Sequence, residues 1–211
     1  MSELLERAGR RFARFATDAV VARPALWRLF RRPLRAQFER LAPSWEHRRD
    51  AETLTTLNAA LDRLDEAPRR ILDVGTGTGI AARGLARRYP DAEVVGVDLS
   101  PGMVEIARRL LPEELEPRLR FEVADASRLP VGAEEFDLVV LLNMIPFFDE
   151  LARVSTPGGA LVFAFSAGPD TPMYTATDRL RKGLAPHGFD EFDEVEAADG
   201  TAVLARRSGR R

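Results

Sequence analysis

The stretch Ile71-Leu72-Asp73-Val74-Gly75-Thr76-Gly77-Thr78-Gly79-Ile80 decides how the rest of the chain is read. An apolar run with one embedded acid stops at three glycines spaced two apart, and a helix-forming segment, residues 81–88, follows at once. This is the pattern of a strand, a tight turn and a helix start. Glycines there permit positive φ and take away the Cβ atoms that would hold a ligand off the backbone. The helix start adds unpaired N–H groups and the positive end of a dipole. Such a turn suits a polar or partly anionic group held against bare backbone.

Spacing narrows the choice of ligand. The dinucleotide fingerprint G-x-G-x-x-G needs its third glycine five residues after the first. Here Ile80 occupies that position and the third glycine comes one residue early, at Gly79. Asp73 just before the turn would repel a pyrophosphate but suits a ligand bearing an ammonium group. Downstream, Glu93-Val94-Val95-Gly96-Val97-Asp98 reads as a second strand closing on an acid. An acid at that place accepts hydrogen bonds from ribose hydroxyls. An amino acid at one end and a ribose at the other describe S-adenosylmethionine better than NAD.

Five blocks now form a series: LDVGTGTG (72–79), VVGVDLSPGMVEIAR (94–108), FEVADASRLP (121–130), FDLVV (136–140) and RVSTPGGALVF (153–163). In order and gaps the chain resembles the class I S-adenosylmethionine-dependent methyltransferases, in the small-molecule branch with quinone- and biotin-pathway enzymes. The resemblance covers residues 65–207. It implies an α/β fold: a Rossmann-like seven-stranded sheet, mostly parallel with an antiparallel C-terminal hairpin, carrying here an N-terminal helical extension. The Asp199-Gly200 pair independently suggests a hairpin turn.

No apolar run reaches the roughly 18 residues of a membrane span, which reads as a soluble, cytoplasmic protein. There is no cysteine, so neither disulfides nor thiolate metal sites arise, and neither histidine has a ligand-like partner spacing. No metal is expected. Charge is uneven. Residues 1–49 hold twelve arginines against five acids, a charge of +7, and the remainder carries −9. The division is therefore a basic arm, 1–49, and a binding domain, 50–211. Residues 3–22 have Leu5, Ala8, Phe12, Phe15, Ala16 and Ala19 at helical spacing. A short segment, 24–32, follows, with Pro33 and Pro43 as punctuation.

The periodicity then predicts helix 50–66, strand 70–74, helix 79–88, strand 93–98, helix 101–111, strand 119–124, strand 136–142, helix 147–153, strand 159–166, helix 174–185 and strands 188–196 and 201–207. Ser100-Pro101 reads as a cap followed by proline at the first helical position.

The turn residues Asp73, Gly75, Thr76, Gly77 and Gly79, with Asp98 for the ribose, are the cofactor candidates. Leu99 and Met103 would wall the adenine. The resemblance implies that Asp125 accepts the adenine amino group beside Ala126, that Asn143 lies along the methionine end, and that an aromatic residue before the domain, here Trp45, folds over the cofactor. Ile145, Phe147 and Phe148 follow the fourth strand, where open α/β sheets bind ligands, and are expected to line an apolar acceptor pocket. Thr171 and Tyr174 are further acceptor contacts. His47 is the candidate general base; His187 reads as structural.

The expected activity is transfer of the sulfonium methyl to O, N or C of a small, largely apolar acceptor. With no substrate-covering insertion after the fifth strand, the arm is expected to act as a lid. Alternatives are an RNA or protein methyltransferase, or a non-catalytic cofactor binder. An acidic body without a recognisable RNA module speaks against nucleic acid. The basic amphipathic arm also suits peripheral contact with a membrane. Oligomeric state is left open.

Overall fold

In the computed structural model, residues 3–45 and 51–209 are described. Seven strands form one sheet in the order β3-β2-β1-β4-β5-β7-β6. β1 is Arg70–Val74, β2 Glu93–Asp98, β3 Leu119–Val123 and β4 Phe136–Leu142. β5 is Ser155–Phe165, β6 Phe189–Ala197 and β7 Gly200–Arg207. The first five strands are parallel, and β7 inserts antiparallel between β5 and β6. The central strands are apolar on both sides, as a sheet covered on both faces must be.

Alternate residues of each strand feed two cores. On one face Ile71, Val94, Leu138 and Val140 pack with Leu57 of helix α3 (Thr55–Leu61), Leu85 of α4 (Ile80–Arg88) and Val104 of α5 (Pro101–Arg109). On the other, Leu72, Val74, Val139 and Leu141 pack with Leu151 of α6 (Phe148–Val154) and Leu180 of α7 (Thr177–Leu184). That second core also takes in Ala13, Ala16 and Val20 of α1 (Glu3–Ala22), and Trp27 and Leu34 of α2 (Trp27–Leu41). The basic arm is therefore part of the folded body.

Apolar burial holds the arm more than its charge does. Each of Val20, Trp27 and Leu34 is at most 7% exposed, and burying a side chain of this size contributes about 1.5–3 kcal/mol. Among the described residues two ion pairs join the arm to the body, Arg31–Asp125 at 3.2 Å and Arg179–Asp18 at 3.0 Å, with half-exposed arginines. Pairs of that kind contribute little.

Several boundaries differ from the sequence reading. Pro33 lies inside α2 rather than ending the segment at 32. Proline removes one N–H and crowds the carbonyl four residues back; burial of Trp27 and Leu34 on either side holds the helix through it. The helix expected over 50–66 is a short 3-10 turn and then α3 alone. β5 begins at Ser155, because a register shift against β4 loops out the Pro157-Gly158 segment and lets pairing start earlier. α7 starts only at Thr177, since Tyr174 N–H donates to Thr171 C=O in a preceding turn. The hairpin turns at Ala198 and Asp199, one residue before the expected pair. Gly200 is there for close approach: a Cβ would lie 2.8 Å from the Phe165 carbonyl oxygen. Ser100 caps α5 as expected, accepting from Met103 N–H at 3.2 Å, with Pro101 at the first position.

Candidate functional site

The β1–α4 turn crosses the end of β2. Gly75 N–H and Thr76 N–H both donate to the Val97 carbonyl, at 2.8 and 2.9 Å. This path needs φ of 75°, 56° and 85° at Gly75, Gly77 and Gly79, values at which residues with a Cβ are strained. The three glycines serve different ends. A Cβ on Gly75 would meet the Met144 thioether and one on Gly79 the Phe121 ring, both packing demands. A Cβ on Gly77 would project to 3.3 Å from the Trp45 indole nitrogen, into space the backbone leaves open. Only the middle glycine keeps a cradle clear.

Asp98 faces that cradle. Its carboxylate accepts Gly77 N–H at 2.9 Å and Ser100 N–H at 2.8 Å, one on each oxygen. A carboxylate has about four acceptor positions, so capacity remains beyond these two and the weaker pull of Leu99 N–H. Burial pushes the Asp98 carboxyl above the usual carboxylate range against the pull of those N–H groups, and the charge of Glu39 pushes the same way.

Glu39 comes from α2. Its Oε1 accepts from Ser100 Oγ at 3.0 Å and from Gly102 N–H at 3.3 Å, so an arm residue sits on the N-terminus of α5. A second attachment lies one strand away. Trp27 Nε1–H donates to Asp125 Oδ1 at 2.8 Å and Arg31 to Oδ2 at 3.2 Å. Burial opposes ionisation of Asp125, but hydrogen bonds from Ser127, Trp27 and Arg31 outweigh it and hold this carboxyl below its usual range. The far end of the arm docks on the loop after β5: Arg10 donates to the Asp170 carbonyl at 3.0 Å, and Arg14 to the carbonyls of Pro169 and Tyr174.

Arm and sheet edge together enclose a cavity of about 1270 Å³. Gly75, Gly77, Asp98, Leu99, Met103, Ala126 and Trp45 line it, as do Asn143, Ile145 and Thr171. Asn143 has φ 54° and is bracketed to Ser166: its Nδ2–H donates to Ser166 Oγ at 2.9 Å, and Ser166 N–H donates to its Oδ1 at 2.9 Å. The roof is α1 and α2, contributing Phe12, Trp27, Gln37, Phe38 and Glu39. Trp45 is held edge-on by Phe38, ring centroids 5.8 Å apart.

Other expected site residues lie elsewhere. Asp73 is fully buried behind the turn and accepts from Thr76 Oγ1 at 2.6 Å, so both act in the turn's interior. Asp125 lies outside the cavity lining, its carboxylate engaged by the arm. Phe147 stacks edge-on against Trp27 with centroids 5.2 Å apart, and Phe148 packs beside Gly183 of α7. Neither lines the cavity, because the chain entering α6 turns them into the core. The Tyr174 ring packs on Phe165, centroids 5.1 Å apart, beneath Arg14. His47 lies outside the described residues. His187 meets Asp149 at 3.1 Å, beside the start of α6. Gln37, Glu39, Met144, Ser166 and Met173 line the cavity without having been singled out. Glu39 carried a faint signal as the single acid between Asp18 and Glu46 in a run of arginines.

Residues 71–159 match the model of a methyltransferase domain. The chain is 42% identical over 121 residues to a malonyl-[acyl-carrier protein] O-methyltransferase of Halorhodospira halophila, a match covering 53% of this chain and 40% of that protein. It is 40% identical over 129 residues to a demethylmenaquinone methyltransferase of Deinococcus radiodurans, covering 58% and 53%. A crystal structure of a SAM-dependent methyltransferase from Aquifex aeolicus superposes with a TM-score of 0.64 at 20% identity, over 78% of this chain and 97% of that one. The chain belongs to the class I S-adenosylmethionine-dependent methyltransferases. It spans about half the length of the curated relatives it matches. Within this chain the matched region holds the glycine turn, Asp98 and Asp125, whereas the arm helices that roof the cavity lie before it.

Proposed function

We propose that this methyltransferase moves the methyl group of S-adenosylmethionine to a small, largely apolar acceptor, with residues 1–49 acting as the lid. One observation carries the reading: Asp98 keeps acceptor capacity on the wall of a cavity beside Gly77, the turn glycine whose missing Cβ leaves space beneath Trp45. That donor and acceptor set fits the cofactor. Asp98 would accept its ribose hydroxyls, Leu99, Met103 and Ala126 would wall the adenine, Gly77 would admit it to the backbone, and Trp45 would cover it. When bound, S-adenosylmethionine supplies an electrophilic methyl on a sulfonium.

The chain's own part is to position, enclose and keep dry. Asn143, held to Ser166 on both sides of its amide, fixes the rim where cofactor and acceptor parts of the cavity meet. Phe12, Phe38 and Trp27 keep water from that rim, and alignment with water exclusion supplies much of the rate in a displacement. The volume exceeds the roughly 300–1,000 Å³ of a pocket for one ligand, which agrees with a cofactor and an acceptor held together. The roof also speaks for a small acceptor over an RNA or protein chain. The test is a labelled-methyl assay on fractionated cell extract. Label in the organic phase is the expected result, and label confined to nucleic acid or protein would overturn the reading.

Peripheral contact with anionic membrane is a second proposal, supported by Phe15 and Leu29, which are 63% and 61% exposed on the arm, with exposed Arg11 and Arg28 near them in the chain. Such a surface suits an anionic interface. Co-sedimentation with phosphatidylglycerol vesicles, lost in Phe15→Ser/Leu29→Ser, is expected; equal sedimentation with phosphatidylcholine would contradict it.

A further inference from the structure

The charge and polarity of the cavity wall bear on which atom accepts the methyl group. Glu39 and Asp98 are both at the α5 end, where each accepts hydrogen bonds from the β2–α5 segment. Around the rest of the lining the polar side chains are neutral and tied down. Asn143 and Ser166 bracket one another, and Thr171 Oγ1 accepts Ala167 N–H at 3.2 Å. The other charged residues of the lining are cationic and come from the roof: Arg10 of α1 and Arg32, Arg35 and Arg40 of α2. All four are exposed residues, and Phe12, Ile145 and Met173 supply apolar lining to the same cavity.

We infer, resting on the methyltransferase reading above, that the acceptor is an oxygen already ionised at neutral pH, a carboxylate or an acidic phenol or enol, carried on an apolar body. The transfer then balances without a base. The acceptor oxygen forms the new O–CH₃ bond with its own lone pair, the C–S bond breaks, and that electron pair stays on sulfur. One negative and one positive charge vanish together, leaving a neutral ester or ether and a neutral thioether, and no proton has to leave. An apolar enclosure favours such a step, because opposite charges attract most strongly where the dielectric is low and the products no longer need solvation. A neutral alcohol or amine would instead finish as a cation and have to lose a proton, beside guanidinium groups that oppose positive charge. The lining arginines have a matching use: their charge draws an anionic acceptor toward the cavity.

The test uses the full-length protein in a calorimeter. S-adenosylhomocysteine is titrated first. At saturation, three probes of one shape follow: phenylbutyrate, phenylbutanol and phenylbutylamine. The carboxylate is expected to bind about tenfold more tightly than the alcohol, a difference of about 1.4 kcal/mol, with the amine weakest. The paired change Arg32→Met/Arg35→Met is expected to bring the carboxylate down to the alcohol's affinity while S-adenosylhomocysteine affinity stays within about twofold, as for exposed charges without a recorded role in holding the arm. An amine or alcohol binding as tightly as the carboxylate would overturn the inference and leave the methyltransferase reading standing. Failure of S-adenosylhomocysteine to bind at all would overturn that reading itself.

Discussion

The floor of the cavity and its roof are built on different principles. The floor is backbone: three glycines at positive φ, N–H groups aimed at one carboxylate, and a strand end that delivers Asp98. The roof is side chains. α1 and α2 stay in place through Val20, Trp27 and Leu34 sunk in the core, and through hydrogen bonds from Trp27 and Arg31 to Asp125 and from Ser100 and Gly102 to Glu39. A backbone floor tolerates little change at a few positions. A side-chain roof spreads its hold over many contacts, and can be altered one contact at a time.

The two carboxylates at the seam express the same contrast. Asp98 is raised by burial and Asp125 is lowered by its partners despite burial. Asp125 stabilises the fold at pH values above its unfolded pKa, and that contribution is lost only as pH falls through its depressed folded value. For Asp98 the sign reverses. Its native charged form is disfavoured, so acidification through its raised pKa adds stability from this group. It also removes the charged acceptor a ribose would use. Acidification is therefore expected to weaken the cofactor first and loosen the arm later.

Substitutions separate floor from roof. The largest effect is expected for Trp27→Ala, which empties a core site and strips a hydrogen bond from Asp125; such truncations cost about 3–5 kcal/mol. Chemical denaturation would measure it, and a loss under about 1 kcal/mol would mean that the roof is merely laid on the body. Gly77→Val comes next. A β-branched side chain at φ 56° facing Trp45 should cut S-adenosylhomocysteine affinity about a hundredfold or more, roughly 2.7 kcal/mol, with the far-ultraviolet dichroism of the sheet retained. Retained affinity would show that this glycine does not face the ligand. Asp98→Ala removes charge-assisted hydrogen bonds of about 1.5–3 kcal/mol each, a tenfold or greater loss of affinity. NAD binding more tightly than S-adenosylhomocysteine to the unaltered protein would refute the ribose assignment altogether. The smallest effect belongs to Glu39→Gln. Taking away the like charge should let Asp98 ionise more readily and move the acid limb of cofactor binding to lower pH. A shift to higher pH would mean that Glu39 acts on Asp98 through something other than its charge.

The floor was readable in the chain because it is local. Gly75 to Gly79 and Asp98 answer to backbone constraints that show as residue type at fixed spacing, and the strands around them appear as apolar runs. The roof was half readable. The helical periodicity of residues 3–22 and the aromatic load of the arm announced a packed amphipathic element. Nothing in the chain indicated that Trp27 would reach Asp125 across 98 residues, or that Glu39 would reach Ser100 across 61. Side-chain contacts over such separations leave no spacing pattern. Phe147 and Phe148 misled for a related reason. They stand at the strand end where ligands bind, but here the Trp27 ring and the surface of α7 claim them. Pro33 misled because a local helix-breaking rule lost to tertiary burial on either side of it.

The central claim is that floor and roof close on one ligand. Hydrogen exchange on the full-length protein, with and without saturating S-adenosylhomocysteine, tests it most directly. Amides of the glycine turn and those of α2, residues 27–41, are expected to slow together on ligand addition, by about tenfold or more, with Trp27→Ala abolishing the response in α2 alone. Slowing confined to residues 75–103, with α2 exchanging at its ligand-free rate, would contradict the claim and leave the arm a structural element without a part in binding.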